Sequence, residues 1–113
     1  MNREILKFLY DIKESIESIE NYLGTKREFS IYNSNKMLRR AIEREFEIIG
    51  EAMNRIDKID SEINISSKRQ IINMRNRVIH GYDKTDNEII CGVIIRHLPK
   101  LKSEIDELLN EGI

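Results

Sequence analysis

Six apolar residues, Ile5, Leu9, Ile12, Ile16, Ile19 and Leu23, recur at intervals of four and three over the first 23 positions. Only an α-helix gathers such a series on one stripe, because a strand would scatter it over both faces of a sheet. Leu6 widens the stripe, and Gly24 stands where a helix C-cap is expected. A helix with one apolar seam and charged flanks must bury that seam against other helices. The opening segment therefore commits the chain to helix-on-helix packing.

The rest of the chain repeats the pattern. Thr25 to Tyr32 is polar apart from Phe29 and Ile31 and reads as a connection. A second helix is expected from Asn33 or Ser34 to about Ile56, with Leu38, Ala41, Ile42, Phe46, Ile49, Ala52, Met53 and Ile56 as its apolar face. Gly50 lies within it at a propensity cost of about 1 kcal/mol, and close helix–helix packing is the favoured explanation. Asp57 to Ile65 is polar and irregular. Ser67-Lys68-Arg69-Gln70 has the form of a capping box and opens a third helix, with Ile71, Ile72, Val78 and Ile79 inward and Gly81 placed to end it. Thr85-Asp86-Asn87-Glu88 opens a fourth, cored by Ile89, Ile90, Val93, Ile94, Leu98, Leu101, Ile105, Leu108 and Leu109, with a kink expected near Pro99. Residues 1–113 are thus expected to form one all-α domain, a four-helix up-and-down bundle.

Composition narrows the function. The formal net charge is -1, so the chain is no polycation coating nucleic acid, and any such contact must come from a local patch. The single cysteine, Cys91, cannot close an internal disulfide and falls among Ile89, Ile90 and Val93 as a small core residue. With no leader-like hydrophobic region and no run of about 20 apolar residues, a soluble, cytoplasmic protein with no membrane association is expected. His97 has no carboxylate or cysteine at metal-ligand spacing, and neither a metal site nor a cofactor is expected.

One segment carries chemistry. Arg75, His80 and Tyr82 form an Arg-x4-His-x-Tyr array, with Asn76, Arg77 and Gly81 beside them. A permanent cation, a group titrating near neutrality and a phenol within eight residues suit phosphate handling. Lys68, Arg69 and Arg77 extend the local positive charge as candidate substrate contacts, and Arg39, Arg40 and Arg44 would extend it further if they packed nearby. Against this stands a plain alternative. Arg and His at a helix C-terminus stabilise the dipole by about 0.3–1 kcal/mol each, and Tyr82 could pack a corner. On an unbroken helix Arg75 and His80 lie roughly 140° apart. Either the helix loosens before Gly81, or a second copy of the chain supplies the missing group across a twofold cleft.

Met74-Arg75-Asn76-Arg77-Val78-Ile79-His80-Gly81-Tyr82 closely resembles the signature of the HepT-like family, within the HEPN superfamily of helical ribonuclease domains. Glu47-Ile48-Ile49-Gly50-Glu51-Ala52 resembles that family's second-helix signature, and Leu98-Pro99-Lys100-Leu101 resembles the Leu-Pro-x-Leu of its last helix. The resemblance runs from Leu6 to Leu109 in the same order. It departs at Cys91, where family members often carry Trp. The resemblance implies the toxin half of a toxin–antitoxin pair, a homodimer with a composite cleft. Its partner would be a nucleotidyltransferase antitoxin that transfers AMP to a tyrosine. By the same correspondence Arg75, Asn76 and His80 are the catalytic set acting on RNA (tRNA or mRNA), and Tyr82 is the modified tyrosine. A non-catalytic helical partner of a nucleotidyltransferase is the alternative, and a purely structural helical protein the third.

Overall fold

The computed structural model describes residues 2–24, 29–66, 68–79, 92 and 96–112; for residues 29–31, 74–79 and 112 it describes the backbone alone. The elements are α1 (Arg3–Leu23), α2 (Phe29–Ser34), α3 (Lys36–Ile59), α4 (Lys68–Ile79) and α5 (Leu98–Gly112). The described residues are all-α, as the periodicity requires.

The first helix follows the sequence closely. Asn2 caps it, its side-chain oxygen accepting from the Glu4 amide at 2.7 Å. All six residues of the expected seam are buried. Gly24 ends it, with its amide donating to the Glu20 carbonyl at 2.9 Å and φ at 67°.

Two differences follow. The expected connection from Thr25 to Tyr32 overlaps α2, a six-residue helix that runs on to Ser34 and is too short to stand alone in water. Tyr32 explains its presence: the ring is wholly buried, and the helix packs on α3. Second, α3 starts at Lys36 because Asn35, not Asn33 or Ser34, is the cap, accepting from the Leu38 amide at 3.0 Å. It also runs on to Ile59, beyond the expected end near Ile56.

Side-chain pairs fix how the long helices run. Lys13 meets Asp106 at 3.2 Å and Glu20 meets Lys102 at 2.9 Å, so numbers rise along α1 as they fall along α5. The Tyr22 hydroxyl donates to Glu45 at 3.2 Å, whereas Phe8 and Asp11 share a groove with Glu51 and Ala52, so α3 is antiparallel to α1 as well. The hydrogen bond to Glu45 holds the Tyr22 phenol above its ordinary pKa, and that to Glu20 does the same for the Lys102 ammonium. The α4 helix turns back along α3, joined at its start by Lys68 and Asp57. These pairings agree with an up-and-down order; the chain between Ile79 and Leu98, apart from Gly92, Arg96 and His97, lies outside the described residues.

The core is dominated by isoleucine. Ile12, Ile16 and Ile19 of α1 meet Ile42, Phe46, Ile49, Met53 and Ile56 of α3, Ile71 and Ile72 of α4, and Leu101, Ile105 and Leu109 of α5. The interruption expected near Pro99 falls just before it. Arg96 is helical, His97 is a turn, and α5 begins at Leu98 with the Leu101 amide donating to the His97 carbonyl at 2.9 Å. Pro99 then occupies the first turn, where a missing N–H costs nothing.

Candidate functional site

The α4 helix carries five of the expected site residues, Lys68 and Arg69 at its start and three further along. Arg75, Asn76 and Arg77 lie on helical backbone that continues to Ile79, so any departure from helical geometry that swings His80 round has to begin after Ile79. Arg75 follows buried Ile71 by one turn and shares its register, with Asn76 about 100° further round. His80, Gly81, Tyr82 and Cys91 lie outside the described residues, as do the capping residues Ser67 and Thr85.

Lys68 and Arg69 stand at the opposite end of α4, about 15–17 Å from Ile79 along the helix axis. The two differ in setting. Arg69 is exposed, whereas the Lys68 side chain is only 18% exposed, its Nζ 2.7 Å from Asp57 and 3.2 Å from the Ser61 carbonyl. That ammonium holds the Asp57 carboxyl below its ordinary range.

The start of α4 has a second anchor. The Ser66 amide and hydroxyl donate to the two oxygens of Glu104 on α5, at 3.0 and 2.9 Å. Sequence reading missed this contact, since it joins residues 38 positions apart. The local signal was only a Ser ahead of a helix.

Register determines what faces the far end of α4. Taking Lys68 and Asp57 as level, Gly50 stands about level with Arg75, and Ile79 about level with Phe46. Gly50 is buried, in keeping with close packing. Arg44, Arg40, Arg39 and Lys36 of α3 continue past the end of α4. Arg39 donates to the Asn33 carbonyl, and Arg44 pairs with Glu47 at 3.1 Å. Burial pushes the Glu43 carboxyl up; Arg39 and Arg40 oppose that shift, and Glu47 reinforces it.

Two adjoining hollows of about 190 and 280 Å³ lie between α1 and α3, lined by Asp11, Glu14, Glu45, Glu47 and Glu51 together with Arg44. Among the described residues no three His, Cys, Asp or Glu side chains group to hold a metal ion. No described helix is long and apolar enough to cross a membrane.

The family model described as "Ribonuclease HepT-like" matches residues 12–108, which take in α3, α4 and the whole Arg75–Tyr82 array. The chain belongs to the HepT-like family. A Methanocaldococcus jannaschii protein named as a putative RNase is 34% identical over 107 residues, covering 92% of this chain and 95% of that one. The "Probable ribonuclease HepT" of Thermococcus cleftensis is 31% identical over 111 residues, covering 96% and 98%. A longer M. jannaschii protein, named as a gamma-glutamylcyclotransferase and putative RNase, is 33% identical over 112 residues; the match takes 98% of this chain and half of that one. No solved structure matches.

Proposed function

We propose that this HepT-like chain is a metal-independent endoribonuclease, the toxin of a toxin–antitoxin pair. The observation that carries the reading is the family match over residues 12–108, which encloses the complete Arg75, Asn76, His80 and Tyr82 set. His80 takes the proton from an RNA 2′-hydroxyl, and the 2′-oxygen attacks the adjacent phosphorus. The bond to the 5′-oxygen breaks, leaving a 2′,3′-cyclic phosphate and, after protonation, a 5′-hydroxyl. The reference pKa of His, about 6.5, suits this general-base role near neutral pH. Arg75 holds the charge that grows on the phosphorane through a bidentate contact, and Asn76 orients the phosphate or the imidazole.

The active assembly is a homodimer in the cytoplasm, with two copies of the array facing one cleft. The antitoxin is a nucleotidyltransferase. The Tyr82 hydroxyl attacks the α-phosphorus of ATP, pyrophosphate leaves, and AMP remains on the phenol. The added bulk and negative charge occupy the place of an RNA phosphate, two positions from His80.

The test is RNA cleavage in EDTA by wild-type protein and by His80→Ala. Loss of cleavage in the variant, with cyclic-phosphate ends in the wild-type products, supports the assignment. Equal cleavage by both removes His80 from the mechanism. Purified dimer that leaves tRNA and mRNA intact yet binds the nucleotidyltransferase stably would favour the non-catalytic partner instead. Intact mass with and without that enzyme reads the AMP on Tyr82.

A further inference from the structure

We infer that Lys36, Arg40 and Arg44 form an anchoring track for the RNA phosphate backbone, separate from the Arg75–Tyr82 array and leading away from it. The inference rests on the ribonuclease reading for its substrate. The three cations are four positions apart on α3, so they lie on one face, about 6 Å apart along the helix axis. All three are exposed, Arg44 with 70% of its side chain open to solvent. Met37, 81% exposed, stands beside them as an apolar surface on which a base can rest. From Lys36 to Arg44 the chain has four cations and one acid, Glu43.

Position gives the stripe its meaning. By the Lys68–Asp57 register Arg44 lies about 3 Å beyond the end of α4 along the bundle, and Lys36 about 15 Å beyond. His80 follows that end directly in the sequence. The other candidate contacts, Lys68 and Arg69, sit at the far end of α4, where Lys68 is already engaged by Asp57. On the α1 side the stripe meets hollows lined by Asp11, Glu14, Glu45, Glu47 and Glu51; Arg44 itself lines one of them, so the track ends there against an acidic flank. Arg44 is partly neutralised by Glu47, which leaves Lys36 and Arg40 as the stronger contacts.

The experiment measures binding of a 2′-O-methyl RNA oligonucleotide, which cannot be cut by 2′-oxygen attack, across a salt series. Lys36→Gln/Arg40→Gln is compared with the charge-matched pair Arg3→Gln/Lys58→Gln, whose residues lie at the opposite end of the bundle. Loss of two phosphate contacts should weaken binding about 25-fold near 0.1 M salt and flatten the slope of log K against log salt by about 1.4. The control pair should behave as wild type. On cleavable RNA the same variant should raise KM with kcat unchanged. Equal behaviour of the two pairs, or wild type that does not bind the probe, overturns the track. Wild type that binds through the stripe but cuts no RNA leaves the track standing and removes the ribonuclease reading.

Discussion

Lys68 and Asp57 meet at 2.7 Å across the junction of α3 and α4, and this pair sets which residues of the two helices stand level. Because Lys68 is the first residue of α4 and Asp57 lies in the last turn of α3, the helix bearing Arg75 and Asn76 is fixed to the bundle at its start. Its far end is then directed past Phe46 toward the arginines of α3.

Asp57→Asn should lower the melting temperature at neutral pH. The Asp57 carboxyl is held below its ordinary pKa by the hydrogen bond and charge of Lys68, so its stabilising effect is present above the unfolded value of about 3.9. It is lost as pH falls through the lower folded value. Thermal melts of wild type and variant should therefore differ at pH 7 and converge in acid; a difference that persists at low pH would detach the effect from this ionisation.

Glu104→Ala should loosen the start of α4. Alanine removes both acceptors, so the bonds from the Ser66 amide and hydroxyl are lost, at a cost of about 1 kcal/mol each for a solvent-exposed contact. Hydrogen exchange is the sensitive readout. The amides of Ile71 and Ile72 should exchange faster while those of α1 hold their protection.

Gly24→Ala should destabilise the protein by about 1–3 kcal/mol, since φ of 67° with ψ of -152° is a region that residues with a Cβ avoid. A Cβ built there meets nothing within 4 Å, so the cost is conformational and not a clash. Urea unfolding measures it. An unchanged midpoint would mean that the C-terminal turn of α1 rearranges freely.

Much of the fold was legible because the helical period is local. The seam of α1 and the core faces of α3 and α5 follow from spacing alone, and the described members of each, Ala41 excepted, are buried or packed against the core. The short helix α2 was hidden, because Tyr32 is one aromatic in a polar stretch and only its burial against α3 makes six residues helical. The position of the break before Pro99 was equally a matter of detail that a proline signals only to within a turn.

The sequence by itself determined the helical class, the cap at Gly24, and the Arg75–Tyr82 array that resembles the HepT-like signature. Those depend on residue identity and on near neighbours in the chain. Only the tertiary structure decided that Lys68 is held by Asp57, that Ser66 is bound by Glu104, and that Lys36, Arg40 and Arg44 continue past the end of α4. These relations span up to 38 residues of chain, and it is the burial of apolar faces, which carries no record of charge pairing, that brings them together.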